Sequence, residues 1–417
     1  MNSYRLLLLC AAASLLLFTT VLAENTIQPL WTEPGTVGGQ LYGIVISADG
    51  STIITGGDQV ISLTRDGRKR WSGWSATSLD ISRQGDYILT GKGTELRLLS
   101  GAGTLVWDRN MEIAVRDVSL APDLSFIAAA GGGKIRTLTF SGEGIASNDT
   151  MTINRVRIIP SGDRLLLSTS RDIQLMDPKL NREWADENLT QNLIAVAPDG
   201  SSFVTAFSNR IRMYTGNGTI LWDKRFPVGD AQAMAYSRDG TTIVLALSEN
   251  LLVLDHTGRQ IWMANATDII NGVAVSDDGN TIAAGSLDRN LYIFNHAGTR
   301  LGTFTVKNAI KPDSVGVTGD GQLIVLVAPS AVYGFSRSSF VDETRPVPTL
   351  TETVTEIPEE TTTIAAFGTT TRKVTTRPQT LPTPYPVETA TPESPLSPDV
   401  VFIAVLLLVL ASRPRRK

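Results

Sequence analysis

The chain has 417 residues, enough for one large domain or two ordinary ones. Its net charge of −4 and its 19% of charged residues give neither the basic surface that nucleic acids require nor an acidic tail, so we expect no nucleic-acid partner. The single cysteine, Cys10, lies in an apolar amino-terminal segment. If that segment is removed, disulfides, thiolate metal sites and a cysteine nucleophile are all excluded.

The amino terminus has the pattern of a secretory signal peptide. Arg5 precedes an apolar run from Leu6 to Phe18, and Val21 and Ala23 occupy the −3 and −1 positions of a cleavage site. This pattern predicts a signal peptide over residues 1–23 that is cut after Ala23. The alternative is an uncleaved anchor, but the run is short for a membrane span, which needs about 20 apolar residues.

A turn motif recurs eight times between residues 49 and 321. Most copies contain Asp-Gly or a related pair, in which glycine accepts the positive φ of a tight hairpin turn. Successive copies lie roughly 35–42 residues apart, a period that is typical of propeller blades. The eight pairs are Asp49-Gly50, Gln84-Gly85, Asp123-Leu124, Ser161-Gly162, Asp199-Gly200, Asp239-Gly240, Asp278-Gly279 and Asp320-Gly321.

A second motif places a tryptophan four residues after a glycine. We expect these rings to fill the seams between stacked sheets, because a small sheet must cover both of its faces. Trp184 has Leu180 at the glycine position, and the copies at Gly144 and Gly298 lack the ring. The complete pairs are Gly67 with Trp71, Gly103 with Trp107, Gly218 with Trp222, and Gly258 with Trp262.

The repeated unit is a set of short strands. The stretch from Tyr236 to Trp262 holds two strands and most of a third, with turns too frequent for a helix. Its repetition predicts an all-β fold, a single β-propeller over residues 24–340. The last repeat ends after its third strand near Phe335, and Leu30-Trp31 resembles Leu221-Trp222, the start of a fourth strand. We therefore expect the amino-terminal segment to close the ring, which gives eight four-stranded blades. Seven is the alternative count, because the third and fourth copies are irregular.

The carboxy-terminal part differs in character. Residues 341–399 are dense in Thr, Pro, Glu and Ser, which predicts a disordered stalk that carries O-linked sugars, or else a plain linker. Residues 400–417 hold an apolar run, Val400 to Ala411, and a basic end, which predict a short apolar helix. This order resembles the sorting signals of surface proteins, including the archaeal kind that a sortase-like enzyme cuts. Ser397-Pro398-Asp399 does not match the usual processing motif, so the tail is either cut or kept as a membrane anchor.

The repeats resemble β-propellers of the quinoprotein-like and WD-repeat-like group. The turn glycines and the Gly-x-x-x-Trp pairs carry this resemblance. Trp107-Asp108 and Trp222-Asp223 look like the WD dipeptide but follow the glycine turn, and no Gly-His pair opens a repeat, so the quinoprotein-like repeat is favoured over an ordinary WD repeat. In quinoprotein-like repeats such a tryptophan docks against the neighbouring blade, which implies this role for Trp71, Trp107, Trp184, Trp222 and Trp262. Enzymes of that group bind pyrroloquinoline quinone with calcium, often against a disulfide between adjacent cysteines. The mature chain has no cysteine, so we predict no such cofactor.

Few residues suit catalysis or metal binding. His256 and His296 hold the same place in successive repeats and could pair as metal ligands, but no carboxylate motif accompanies them. We interpret them as turn residues. The repeated aspartates occur once per blade, whereas calcium needs about six to eight converging oxygens, so they too are interpreted as turn residues. Gly131–Lys134 is similar to a phosphate loop but lies between two strands, with no helix amino terminus to hold a phosphate. We predict no catalytic residue, metal or cofactor.

One face of the predicted ring carries charged loops. In a propeller, the loops between second and third strands share a face with the loops that join blades. Such charges are usual in solvated turns; the functional interpretation is a polar rim for a glycan, peptide or surface protein. The main candidates are Asp58, Lys92, Arg171, Asp172, Arg210, Asp288 and Arg289, with Glu95, Lys134, Asn209, Glu249 and Asn250 beside them.

Four sequons predict N-glycosylation. Three of them fall on the same face as the charged loops, and Asn217 falls in a turn on the opposite face. The four asparagines are Asn148, Asn188, Asn217 and Asn265.

These features together predict an exported, membrane-anchored protein of the cell surface, in which a rigid propeller stands on a stalk. We expect a monomeric, non-catalytic binding or envelope-organising scaffold whose partner is an extracellular or envelope protein or a glycan. One alternative is an extracellular oxidoreductase or a sugar-active lyase or hydrolase with its site at the axial channel. Another is a factor that assists assembly of envelope proteins. Convergent carboxylates or a metal at the axis would favour the enzyme, and small aliphatic residues would favour the scaffold.

Overall fold

A computed structural model describes residues 26–35, 40–149, 152–187 and 193–340. The predicted signal peptide, the stalk, the carboxy-terminal tail and Asn188 lie outside these residues, so the domain bounds stay predictions. The described residues form an all-β fold of eight four-stranded antiparallel sheets. The eight-bladed count is therefore confirmed, and the seven-bladed alternative is wrong.

The first four blades follow one another in the chain, each with its strands in sequence order. Blade 1 comprises β2 (Leu41–Ile46), β3 (Thr52–Gly57), β4 (Val60–Thr64) and β5 (Lys69–Gly73). Blade 2 comprises β6 (Ser78–Ile81), β7 (Tyr87–Lys92), β8 (Glu95–Ser100) and β9 (Leu105–Asn110). Blade 3 comprises β10 (Asp117–Leu120), β11 (Phe126–Gly131), β12 (Lys134–Thr139) and β13 (Gly144–Asn148). Blade 4 comprises β14 (Ile153–Ile158), β15 (Leu165–Thr169), β16 (Asp172–Met176) and β17 (Arg182–Glu187).

The remaining blades continue this order, except for the last strand of the ring. Blade 5 comprises β18 (Leu193–Val196), β19 (Ser202–Phe207), β20 (Arg210–Thr215) and β21 (Ile220–Arg225). Blade 6 comprises β22 (Ala231–Tyr236), β23 (Thr242–Leu247), β24 (Asn250–Asp255) and β25 (Gln260–Asn265). Blade 7 comprises β26 (Ile270–Val275), β27 (Thr281–Ser286), β28 (Asn290–Asn295) and β29 (Arg300–Thr305). Blade 8 comprises β30 (Val315–Val317), β31 (Leu323–Ala328), β32 (Ala331–Ser336) and β1 (Trp31–Pro34), and a 3-10 turn (Arg337–Ser339) follows β32.

The amino-terminal strand closes the ring, as the sequence predicts. β1 pairs antiparallel with β32, with Trp31 opposite Gly334 and Pro34 opposite Ala331. The residues just before β1 reach the neighbouring blade, where the N–H of Ile27 donates to the carbonyl of Thr303 at 3.1 Å. Blade 8 therefore contains both the first and the last strand of the propeller. Because the ring is closed in this way, every described blade packs against a neighbour on both of its faces.

The recurring aspartates build the hairpin turns at one face of the ring. In blade 6 the N–H of Thr241 donates to Oδ1 of Asp239 at 2.9 Å, and the N–H of Thr242 donates to Oγ of Ser237 at 2.9 Å. Gly240 follows at φ +71°, a left-handed conformation that glycine adopts without strain. We call the face with these turns the lower face, and the face with the loops that join blades the upper face.

Every tryptophan except the exposed Trp74 docks between blades, and each docked ring contacts the turn of the following blade. Nε1 of Trp107 donates to the carbonyl of Phe140 at 2.9 Å, and Nε1 of Trp222 donates to that of His256 at 2.9 Å. A methyl group added at Gly258 would lie 2.9 Å from Trp222. The glycine of each sequence motif therefore receives the ring of the preceding repeat. This explains the recurrence of both residues better than a contact within one repeat.

Three details differ from the sequence motif. Trp31 of β1 also docks, because Nε1 donates to the carbonyl of Arg65 at 3.1 Å. In blade 3 the docking glycine is Gly142, at φ +84°, and not Gly144, which begins β13. At the seam between blades 3 and 4 no tryptophan docks, and Leu180 fills the turn position at φ +63° and packs into the apolar cluster of that seam.

Candidate functional site

The innermost strand of every blade lines an axial channel. These strands are β2, β6, β10, β14, β18, β22, β26 and β30. The channel contains three cavities, and each strand contributes residues to at least one of them. An upper cavity has a volume of about 480 Å³, a lower cavity about 610 Å³, and a small compartment between them about 150 Å³. The channel is the only feature to which all eight blades contribute among the described residues, so we take it as the candidate site.

One half of the channel wall is small and aliphatic. Four residues before the aspartate of each lower turn, blades 5 to 8 carry Ala195, Ala235, Ala274 and Gly316. Between these blades the wall is completed by Ile194, Val196, Met234 and Val317. Among the described residues, the ionisable groups on this side lie at the mouths and not on the wall, with Arg238 and Asp277 at the lower mouth and Asp313 at the upper one.

The other half, in blades 2 to 4, is polar because its side chains tie adjacent inner strands together. The N–H of Leu120 donates to Oδ2 of Asp80 at 2.7 Å, and the N–H of Val118 donates to Oγ of Ser78 at 3.1 Å. β6 thus accepts hydrogen bonds from the backbone of β10, with which it has no sheet pairing. These bonds satisfy N–H groups that face the channel.

The same arrangement links β10 to β14. The N–H of Val156 donates to Oδ2 of Asp117 at 2.8 Å, and the N–H of Ile158 donates to Oγ of Ser119 at 3.1 Å. Nη1 of Arg157 also donates to Oδ2 of Asp117, at 2.9 Å. Asp117 is 5% exposed, so this buried carboxylate is compensated both by a cation and by a backbone donor.

Burial changes the acidity of the channel groups. It raises the pKa of Asp80 to about 6, although the N–H groups of Leu120 and Ile81 and the charge of Arg157 oppose this effect. The negative charge of Asp117 raises the pKa of Arg157, which therefore stays a cation. Both carboxylate oxygens of Asp80 accept backbone N–H groups, since Ile81 donates to Oδ1 at 2.8 Å. Asp80 is therefore positioned as a structural acceptor.

A cross-channel ion pair spans the upper mouth. Nη2 of Arg155, in blade 4, lies 3.5 Å from Oδ2 of Asp313, in the loop that enters blade 8 on the opposite side of the ring. The carbonyl of Asp313 accepts the N–H of Ile44 at 2.9 Å, which fixes the loop to blade 1. Polar residues just before the inner strands or at their second positions form a ring at this mouth, namely Thr77, Arg116, Asn154, Gln232 and Asn271.

The predicted rim residues lie on the upper face but in five different blades. Arg171 and Arg289 are exposed, and Lys92 is partly exposed. Asp58 is exposed and accepts the N–H of Gln40 at 3.0 Å. Within the described ranges the rim residues make no contact with one another that would join them into one site.

Three predicted rim residues have structural partners. Asp172 is 9% exposed and bonds Thr169 and Gln174, so its assignment to an accessible rim is wrong. Asp288 accepts from Thr267, Asn290 and Tyr292, and the hydroxyl of Tyr292 and these backbone N–H groups outweigh burial and lower its pKa. Arg210 pairs with Asp223.

The remaining candidates also have ordinary placements. Asn148 and Asn265 end β13 and β25 at the upper face, and Asn217 is exposed in a lower turn. His256 and His296 lie in the lower turns, where their carbonyls accept the indole N–H groups of Trp222 and Trp262. Across residues 26–35, 40–149, 152–187 and 193–340, no group of three or more His, Cys, Asp or Glu side chains is placed to hold a metal ion.

The sequence-based candidates do not include the channel residues. A signal for them exists, since they lie four and six residues before the first residue of each turn pair. In blades 2 to 4 these positions hold Ser, Asp or Arg, whereas the position four residues before the turn pair is Val, Ala or Gly in the other blades. The pattern becomes visible only when the repeats are aligned on their turns.

Comparison with known proteins supports the fold. Residues 259–295 match the family model of the WD domain, G-beta repeat; this segment covers β25 to β28, the outer strand of blade 6 with the first three strands of blade 7. The crystal structure of Chaetomium thermophilum Sqt1 bound to the N-terminus of the ribosomal protein L10 is similar, with a TM-score of 0.60 and 13% identity over 72% of this chain and 97% of that one. At this identity the likeness shows the fold alone.

No curated protein matches the sequence. Because 1804 chains of solved structures match, the fold alone does not select a function. Nothing helical in the described part of the chain has the length and apolar character that a membrane crossing requires.

Proposed function

We propose that the chain is an exported, surface-attached β-propeller that binds a protein partner of the cell envelope and catalyses no reaction. The fold and the WD-repeat match are those of a scaffold that fits protein binding. The observation that carries the proposal is the use of the channel acids as structural ties. Asp80 and Asp117 both accept backbone N–H groups of the next blade, and Asp277, the further acid that lines the lower cavity, lies 3.7 Å from Nε of Arg238.

The exposed charges and polar groups of the upper face support it as the binding surface. β32 runs to the lower face, and the chain leaves the propeller there through Phe340, which is 7% exposed and packs into the apolar cluster of blades 7 and 8. The upper face carries Arg171, Arg289 and the polar ring at the channel mouth. We propose that a partner segment docks across these groups. Sqt1, which has a similar fold, is bound to the N-terminus of the ribosomal protein L10.

Export and attachment rest on the two terminal segments. The signal-peptide pattern over residues 1–23 and the stalk, apolar run and basic end of residues 341–417 support a surface location. We propose that the protein works as a monomer without a cofactor. A glycan partner and a role in assembling envelope proteins belong to the same proposal, because both use the exposed face without chemistry.

An enzyme is the second candidate, on one observation. The pKa of Asp80, raised to about 6, lies where a general acid is effective, and Arg157 is close enough to influence it. Against this, a catalytic acid must approach a substrate atom, whereas both oxygens of Asp80 are already engaged. Loss of an activity in Asp80→Asn with an unchanged fold would favour the enzyme.

The test is site-specific photocrosslinking of the full chain in its native envelope. A photoreactive residue in place of Arg289 probes the upper face, and one in place of Lys179, in a lower turn, is the matched control. We expect the upper-face probe to capture one protein at higher yield than the control. Equal capture from both faces, or capture from the lower face only, would contradict the proposal.

A further inference from the structure

The lower half of the channel has chemistry that the proposed function does not use. Its volume of about 610 Å³ lies within the roughly 300–1,000 Å³ typical of small-ligand pockets. Aliphatic side chains from several blades are half-buried and line this cavity, namely Ile46, Ile81, Val196, Met234 and Val317. Ser47, Ser82 and Ser119 also line the cavity, so its wall is mixed. Water against the aliphatic part of the wall is unfavourable, so the apolar part of an occupant would be stabilised there.

A single cation lies at the inner end of this wall. Arg157 lines the lower cavity, the upper cavity and the compartment between them, and its side chain is 37% exposed. Its Nη1 donates to Asp117 at 2.9 Å and to the carbonyl of Val156 at 2.6 Å. The other N–H groups of the guanidinium make no hydrogen bond to any described residue. They are therefore available to an anion in the channel.

The neighbouring charges leave room for that anion. Asp80 is beside Arg157, but its oxygens accept backbone N–H groups, and burial disfavours its ionised form. Arg83 and Arg238 add positive charge at the lower mouth, where Nε of Arg238 lies 3.7 Å from Asp277. The upper mouth is crossed by the ion pair of Arg155 and Asp313, so a ligand that reaches Arg157 enters from below.

We propose that the lower cavity binds an apolar chain that ends in a carboxylate. The carboxylate accepts hydrogen bonds from Arg157, and the chain lies along the aliphatic wall towards the lower mouth. Two sources have this chemistry, a fatty acid and the carboxy terminus of a peptide rich in aliphatic residues. The inference goes beyond the proposed function and does not depend on it, because a partner on the upper face is not needed for binding below.

The experiment is isothermal titration calorimetry on the full chain with defined probes. Sodium decanoate represents the fatty acid, and an alanine pentapeptide that ends in leucine, with a free carboxylate, represents the peptide. Decanamide and the carboxy-terminal amide of the pentapeptide are the uncharged controls. We expect one acid to bind at a single site, and its amide to bind about tenfold or more weakly, because a charged hydrogen bond is lost. Binding of decanoate alone identifies a fatty-acid site, and binding of the peptide alone identifies a carboxy-terminus site.

Variants locate the site. Arg157→Gln combined with Asp117→Asn removes the cation without leaving its buried partner unpaired, and it should weaken the acid by about tenfold or more. Ala195→Leu fills the cavity beside Arg157 and tests the same site if the double variant does not fold. Arg116→Gln removes an equal charge from the upper mouth and is the control, which should leave affinity unchanged. Failure of both acids to bind at millimolar concentration, or binding that survives Ala195→Leu, would overturn the proposal.

Discussion

The contact between Trp71 and Gly103 tests how the blades are held together. Gly103 has φ +81°, and a methyl group built on it would lie 2.5 Å from the Trp71 ring. Nε1 of Trp71 donates to the carbonyl of Gly101 at 2.9 Å, so the ring cannot move away without losing that bond. Gly103→Ala therefore strains the backbone and displaces the ring at once.

The expected cost follows from these parts. A left-handed alanine costs about 1–2 kcal/mol, the lost indole hydrogen bond about 1 kcal/mol, and partial exposure of the ring about 1 kcal/mol. We expect Gly103→Ala to lower the free energy of unfolding by about 3–4 kcal/mol. Gly93, in the same blade, has φ +59° with nothing within 4 Å of an added methyl group, so Gly93→Ala should cost only the backbone strain, about 1–2 kcal/mol.

Urea unfolding of a double-mutant cycle measures the contact. In a Trp71→Ala background no ring remains to be displaced, so Gly103→Ala should then cost about as little as Gly93→Ala. The two substitutions would be strongly non-additive, by about 2 kcal/mol. Additive losses, or equal costs for Gly103→Ala and Gly93→Ala in the original chain, would refute the docking of Trp71 on the next blade.

Three further outcomes follow from single residues. Trp107→Ala should lower the free energy of unfolding by about 3–5 kcal/mol, because the ring is only 8% exposed. The ring of Trp222 is half-buried, so Trp222→Ala should cost about 1–2 kcal/mol less than Trp107→Ala. Equal losses for the two variants would contradict this difference in burial. The pKa of Asp80 is raised from 3.8 to about 6, so the protonated acid favours the folded state and stability should fall as pH rises from about 4 to about 6. Asp80→Asn should remove that part of the pH dependence, about 3 kcal/mol, and an unchanged profile would contradict it. Mass spectrometry of the native protein should find sugars on the exposed Asn217 and Asn265; finding both bare would count against export.

Local turn chemistry explains how much of the fold could be predicted from the sequence. Asp-Gly turns recur because each one must cap a hairpin, and their spacing sets the blade count. The closure of the ring by the strand that contains Trp31 could be predicted for the same reason, since this segment repeats the pattern of an outer strand. The residue against which each tryptophan packs could not be predicted. A motif such as Gly258-x-x-x-Trp262 suggests a contact within one repeat, whereas the stacking of blades pairs Gly258 with Trp222.

The channel could not be predicted because its residues are defined by the ring and not by the repeat. No other blade has an aspartate at the position of Asp80 or at that of Asp117, so no repeated motif marks them. Their roles depend on the backbone N–H groups of the following inner strand, which only the closed ring brings within 2.7–2.8 Å. The predicted rim shows the opposite case, because a shared repeat position suggested a common site that the ring does not form. Its residues share a repeat position, but the ring separates them into different blades.

Closure of the ring by the first strand is the claim on which the channel and both proposals depend. Thr32 lies opposite Tyr333 in the pairing of β1 with β32, a separation that a disulfide can bridge. In a chain with Cys10→Ser, oxidation of Thr32→Cys with Tyr333→Cys should give an intramolecular disulfide. The offset pair Glu33→Cys with Tyr333→Cys points to opposite faces of the sheet and should stay reduced. A Thr32/Tyr333 pair that stays reduced, or that links only separate molecules, would contradict the closed ring.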